Sequence, residues 1–145
     1  MTTGLHPRLA ADCLRLGAFP LCELLLMNDA RYPWYILVPR REGMREIHEL
    51  AESDQTQLLH ESSQLSRAMA AALNPDKLNI AAIGNIVPQL HVHHVARFTG
   101  DAAWPAPVWG LGTPEPYAPG AWKDACAPVL ARLVFGFDPE PTAGF

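Results

Sequence analysis

The stretch PQLHVHHVARF, Pro88 to Phe98, places His91, His93 and His94 within four positions, half of the six histidines in the chain. Imidazole offers two kinds of chemistry near neutral pH. It ligates metals, and with a pKa of about 6.5 it keeps a nitrogen lone pair free for nucleophilic attack or proton transfer. Side chains alternate along an extended strand, so Gln89, His91 and His93 should emerge on one face and Leu90, Val92 and His94 on the other. His91 and His93 then stand about 6 to 7 Å apart along the strand and can act together, whereas His94 points away. Without a bulge, three imidazoles from this strand cannot share one metal. His6, His48 and His60 are the remaining candidates for a third ligand, but none sits in a recognisable ligand spacing and no Asp or Glu flanks the pair. No metal site is therefore predicted, and the plain alternative for the pair is a half-exposed polar face.

The elements that must position these residues follow from periodicity. PRLAADCLRLG places Leu9, Cys13 and Leu16 on one helical stripe with Gly17 as a stop, which predicts a short N-terminal helix. CELLLMNDARYPWYILVP gives two β-like runs, Cys22 to Met27 and Trp34 to Pro39, joined by turn-forming residues as a hairpin. From Ser53 as a cap, apolar or small residues recur at Leu58, Ser62, Leu65, Met69 and Leu73, the buried stripe of a long amphipathic helix. KLNIAAIGNIVPQLHVHHVARF is rich in Ile and Val and is broken at Gly84-Asn85, which predicts two further strands. The order β-β-α-β-β describes an α+β fold, an antiparallel sheet covered by one long helix. Beyond Thr99, GDAAWPAPVWGLGTPEPYAPG is too rich in Pro and Gly to extend a sheet and reads as an ordered loop or arm. AWKDACAPVLARLVFGF reads as a terminal helix, with Pro128 at a kink or in the first turn.

The whole chain bounds the reading. Its 145 residues, 49% hydrophobic and 18% charged, describe a single domain over 1–145, with a core at about 19–105 and a C-terminal arm and helix at 106–145. No apolar run reaches the roughly 18 residues of a membrane span, and the start lacks the pattern of a secretory signal, so a cytoplasmic location is expected. Cys13, Cys22 and Cys126 are odd in number and outside any CxxC spacing, which fits buried thiols. A net charge of −4 argues against general affinity for a nucleic-acid backbone.

Taken with what precedes it, NIAAIGNIVPQLHVHHVAR resembles the signature of the histidine triad (HIT) superfamily of nucleotide hydrolases and transferases, His-φ-His-φ-His-φ-φ with φ apolar. The triad register reads Gln89-Leu90-His91-Val92-His93-His94-Val95, and Gly84-Asn85-Ile86-Val87 is similar to the family's phosphate-contacting Gly-Gln-x-Val turn. PWYILVP, Pro33 to Pro39, resembles the family's hairpin strand, and Trp104-Pro105 resembles the Trp-Pro tail of its phosphoramidate-hydrolysing branch. Gln89 departs from the first triad histidine, and Tyr35 is read at the hairpin position where a fourth histidine often joins the network. Gln and Tyr side chains could supply a neutral network in their place.

The resemblance implies that His91 attacks the α-phosphorus of a nucleotide ester, anhydride or phosphoramidate, with the Gln89 carbonyl orienting its ring. His93 would bond to a phosphate oxygen or protonate the leaving group, worth about 10²–10⁴-fold in rate. Backbone N–H groups around Gly84 and Asn85 would face the phosphate, Asn28 or Asp29 the ribose, and Asn79 a phosphate contact; in a plain hairpin the same residues would be turn formers. No cofactor is implied. The expected partners are a purine nucleotide or nucleotide conjugate and a second copy of the chain, with no nucleic acid and no membrane. Trp104 and Trp109 either cover a site across a subunit boundary or anchor the arm on the surface. Loss of turnover through Gln89 and Tyr35 would leave a nucleotide-binding sensor instead. Either reading requires both rings to open onto a cleft from one side of the sheet.

Overall fold

The computed structural model of the protein describes residues 4–139; residues 1–3 and 140–145 of the predicted domain lie outside the described residues. The chain begins with α1, Pro7–Asp12, whose N-cap His6 accepts the backbone N–H of Arg8 on Nδ1 and whose first turn holds the proline that fits there. The helix stops earlier than its stripe of Leu9, Cys13 and Leu16 predicts. Cys13–Ala18 is a strand, β1, paired with β2 (Cys22–Met27). Leu14 and Leu16 alternate with Cys13 and Arg15, so a period of two buries this segment as well as a helical one would, and an available partner strand decides the outcome.

Strands β2 and β3 (Trp34–Pro39) form the predicted hairpin with the predicted limits. The long helix α2 runs over Glu52–Leu73; Leu58, Leu65 and Met69 are buried along it, while Ser62 and Leu73 lie at the margin of the stripe. Ala51 rather than Ser53 sits at its N-cap with no side-chain bond; Glu52 and Asp54 in the first turn complement the helix dipole. Asn74, left-handed at φ 48°, ends the helix ahead of Pro75. Then follow β4 (Lys77–Ala81) and β5 (Val92–Arg97).

The arm leads to α3, Ala121–Leu130, which contains Pro128 near its end and is shorter than predicted. Beyond it the chain turns back to pair β6, Asp138–Pro139, with β1. That pairing requires Gly17, because a Cβ there would collide with the Asp138 carbonyl oxygen and the Phe137 ring. Among the described residues the sheet therefore has six strands, in the order β4-β5-β3-β2-β1-β6, with antiparallel pairing throughout, against the four that periodicity alone predicts.

The two faces of the sheet bury different things. One carries Leu24, Leu26, Tyr35, Leu37, Val92 and Ala96 against Leu58, Leu65 and Met69 of α2 and Cys126 and Val129 of α3. Leu65 and Met69, each fully withdrawn from water, contribute about 1.5–3 kcal/mol apiece. Glu61 is buried at this face because its carboxylate accepts the backbone N–H groups of Leu21 and Cys22, both at 2.8 Å, just where β2 begins. The other face gathers Leu25, Trp34, Ile36 and Val95 beneath Leu9 of α1 and Ala103 and Val108 of the arm. The histidine pair stands on this second face. No helix among the described residues is long and apolar enough to cross a membrane.

Candidate active site

His91 lies in the extended segment just ahead of β5, and His93 is the second residue of that strand. Their rings project to the same side, with centroids 4.9 Å apart, closer than the spacing along the strand because the rings lean together. His91 Nδ1 is 2.6 Å from the carbonyl oxygen of Gln89. A carbonyl can only accept, so Nδ1 carries the proton and Nε2 holds a free lone pair. The backbone thus presents His91 in the tautomer a nucleophile requires.

His93 has the opposite tautomer. The indole Nε1–H of Trp34 donates to His93 Nδ1 at 2.9 Å, and an indole nitrogen is a donor only, so the proton of the neutral ring sits on Nε2. Burial pushes the pKa of His93 down to about 3, with the nearby His91 and His94 adding to the depression. Trp34, not Tyr35, is therefore the hairpin residue of this network. Cross-strand register explains the correction: Trp34 and Ile36 share a face with His93, whereas Tyr35 pairs with His94 and turns into the helix-side core. The expected network of Gln89 and Tyr35 side chains does not form.

His94 is satisfied on that other face. Its Nδ1–H donates to the Val92 carbonyl at 3.1 Å, and Nε2 accepts from the Ser62 hydroxyl of α2 at 2.7 Å. Burial lowers its pKa to about 4. This is the neutral, hydrogen-bonded histidine that alternation requires, away from the pair.

Gln89 contributes its carbonyl to His91 but sends its side chain elsewhere. Oε1 accepts from the backbone N–H of His6 and Nε2 donates to the carbonyl of Gly4, both at 2.8 Å, so the amide binds the N-terminal segment like a strand edge. Gly84, at φ 70°, makes the turn upstream, in a conformation that suits glycine. Gly84, Gln89 and His91 line a cavity of about 30 Å³, room for one water molecule, and Asn85 is exposed next to it. A wider cavity of about 870 Å³ adjoins it through shared lining at Arg45, Pro88 and Gln89 and extends past Arg40 and Arg41. The pair itself is nearly enclosed, His91 being 6% and His93 5% exposed; His91 lines the small cavity and His93 lines neither of the two, so the predicted opening reaches one ring and not both.

Part of that enclosure comes from the arm. Trp109 packs edge-on against His93 at 5.4 Å and against Trp34 at 6.0 Å, in the same chain. Trp104 instead stacks over the Arg97 guanidinium, 5.7 Å away. Arg97 is buried by a bidentate pair with Asp101, at 2.8 and 3.0 Å, and donates to Asn79 Oδ1. Asn79 is thereby tied to Arg97, opposite Val95 in β5. Asn28 and Asp29 are occupied as well. Asn28 Oδ1 accepts from the Tyr117 N–H, and the Asp29 carboxylate takes Arg31 and the N–H groups of Arg31 and Glu115. Burial raises the Asp29 pKa, but these hydrogen bonds outweigh it and hold the carboxyl below its usual range. The structure thus brings together His91, His93, Gln89 and Gly84, and uses Asn28, Asp29 and Asn79 to secure the arm and β5.

Among the described residues, no group of three or more His, Cys, Asp or Glu side chains is placed to hold a metal ion. Sequence reasoning missed Trp34, and it offered Trp109 only as a cover across a subunit boundary or as an anchor of the arm, not as a contact of His93 in its own chain. A correct strand parity, counted from Ile36 opposite His93, would have found the first; the second lies in a loop without periodicity.

The family model described as the HIT domain matches residues 8–100. A histidine triad protein from Marinobacter aquaeolei VT8 is 51% identical, with a TM-score of 0.87 over 90% of this chain and 96% of that one. One from Bradyrhizobium japonicum is 46% identical, with a TM-score of 0.87 over 90% and 98% of the two chains. A third, from Sinorhizobium meliloti 1021, is 42% identical, with a TM-score of 0.88 over 91% and 98%. A comparison with curated proteins finds no match. The matched triad segment, the antiparallel sheet under its long helix and these similarities agree: the chain belongs to the histidine triad family of nucleotide hydrolases and transferases.

Proposed function

We propose that the protein is a nucleotide phosphohydrolase or nucleoside-phosphoramidase that works through a nucleotidyl-His91 intermediate and releases a nucleoside monophosphate. The observation that carries this reading is the 2.6 Å bond from His91 Nδ1–H to the Gln89 carbonyl, which places the lone pair of the neutral ring on Nε2 and holds it in one orientation. Nε2 attacks the α-phosphorus, the bond to the leaving group breaks, and the electron pair departs with that group. Water then attacks the same phosphorus and gives up one proton to solvent, and the P–N electron pair returns to Nε2. Nδ1–H stays on the carbonyl throughout, so the positive charge on the substituted ring is stabilised by a fixed dipole. In this reading the N–H groups around Gly84 and Asn85 meet the charge growing on the phosphate oxygens, supported by Gly84 lining the same small cavity as His91. The 870 Å³ cavity is large enough for the nucleoside or the leaving group, and it shares Arg45, Pro88 and Gln89 with the small cavity that His91 lines. The scheme uses no metal ion, so turnover should persist in excess chelator.

A second copy of the chain is the proposed partner, seated on the edge strand β4 and the segment that follows it, where Ile80 and then Ile83 and Ile86 are exposed. Sedimentation at micromolar concentration should give twice the chain mass. Activity is tested by incubating the protein with an adenosine phosphoramidate and with a diadenosine polyphosphate, beside His91→Asn. AMP released by the wild type and not by the variant supports the hydrolase. Tight binding without release by the wild type makes the protein a nucleotide sensor instead.

A further inference from the structure

We infer that Trp34 selects the substrate class: by holding His93 as a neutral Nε2–H donor it confines turnover to nucleotide anhydrides, whose leaving groups need no proton, and excludes phosphoramidates. The inference rests on the nucleotidyl-His91 reading and decides between the two substrate classes that reading leaves open. Its basis is the 2.9 Å bond from Trp34 Nε1–H to His93 Nδ1. A ring that accepts at Nδ1 carries its one proton on Nε2. Protonating Nδ1 would break the indole bond and set two N–H groups against each other in a site that Trp34, Trp109 and His91 enclose.

The titratable groups that act on the ring among the described residues are the imidazoles of His91 and His94, and both disfavour a cation. His91 on the preceding segment faces His93 from one side, and the next titratable ring, that of His94, lies on the opposite face of β5. The groups that pack on it from β3 and the arm, Trp34 and Trp109, do not titrate. Burial in this setting agrees with the low pKa of His93.

The chemical consequence concerns the leaving group. A neutral Nε2–H can donate a hydrogen bond to departing oxygen, but it cannot give up its proton near pH 7. From an anhydride, the P–O bond breaks as His91 Nε2 bonds to phosphorus, and diphosphate or carboxylate leaves as a stable anion carrying the electron pair. From a phosphoramidate, the same step without a proton would expel an amide anion. An amine leaves only after nitrogen takes a proton, and His93 as held by Trp34 is no source of one. General acid catalysis is typically worth about 10²–10⁴-fold, which sets the size of the expected discrimination.

The test compares two substrates that share the adenosine 5′-phosphoryl group and differ in the departing atom, a mixed carboxylic anhydride and a primary phosphoramidate. Wild-type kcat/KM for the anhydride should exceed that for the phosphoramidate by at least about 100-fold. Trp34→Phe removes the indole donor and frees Nδ1; the phosphoramidate-to-anhydride ratio should rise at least tenfold, with phosphoramidate turnover now increasing as the pH falls. Nitrogen-15 spectra of the wild-type histidines, which do not depend on that variant folding, should show His93 as the neutral Nε2–H tautomer from pH 5 to 8. Comparable wild-type turnover of both substrates, an unaltered ratio in a folded Trp34→Phe, or a His93 that titrates near 6.5 would each overturn the inference while leaving nucleotidyl transfer intact. AMP release from neither substrate, with no adduct on His91, would overturn the nucleotidyl-transfer reading and the inference together.

Discussion

Lowering the pH from 7 to 5 should destabilise this fold through two histidines held neutral inside it. His94 has its pKa pushed down to about 4 and His93 to about 3, burial being the main cause for each. An unfolded histidine titrates near 6.5, so below that pH the unfolded chain takes up protons that the folded chain refuses. Folded values below unfolded ones mean that this stability is present above about pH 6.5 and is lost as the pH falls towards the folded values. For His94, a fall from 6.5 to about 4 corresponds to roughly 3 kcal/mol when fully expressed, of which about 2 kcal/mol is gone by pH 5. His93 adds a similar amount, so the wild type should lose about 4 kcal/mol over this range, against a typical total of about 5–15 kcal/mol. Urea unfolding at pH 7, 6 and 5 and constant ionic strength measures the loss. His94→Gln, which has no titrating group there, should lose about half as much as the wild type. The same pH dependence in both proteins would refute the placement of His94 as a buried neutral ring between Val92 and Ser62.

Glu61→Gln keeps one acceptor where two backbone N–H groups converge, and it should cost about 1–3 kcal/mol in urea unfolding; an unchanged midpoint would show that the carboxylate does not hold the start of β2. Asp101→Asn removes the bidentate partner of buried Arg97, and a loss of about 3–5 kcal/mol is expected, checked by thermal unfolding. Gly84→Ala places a side chain at φ 70°, which should cost about 1–2 kcal/mol and lower kcat; full activity with full stability would remove the turn from the site.

The hairpin was legible to its limits because Cys22–Met27 and Trp34–Pro39 are continuous apolar runs with an unmistakable turn between them. The long helix was legible from its 3.6-residue stripe. The first strand was not, because Leu9, Cys13 and Leu16 fit a helix while Leu14 and Leu16 fit a strand, and only the presence of β2 as a partner chooses. Spacing alone put His91 and His93 on one side and His94 on the other. Assigning Tyr35 to their network failed through parity, since one residue along a strand exchanges its two faces. The remaining parts depend on distant contacts that no local pattern encodes. Gln89 reaches back 85 residues to Gly4, Asp29 reaches 86 forward to Glu115, and Trp109 arrives over His93 from a loop.

The account stands on His91 Nε2 as the atom that takes the nucleotidyl group. Rapid chemical quench of the protein mixed with an adenosine substrate, followed by peptide mass mapping, tests this directly. One adenylyl group on His91, formed and lost at rates matching turnover and absent from His91→Asn, is the predicted result. An adduct on His93 or His94, or AMP released at the normal rate with no adduct at any quench time, would contradict it.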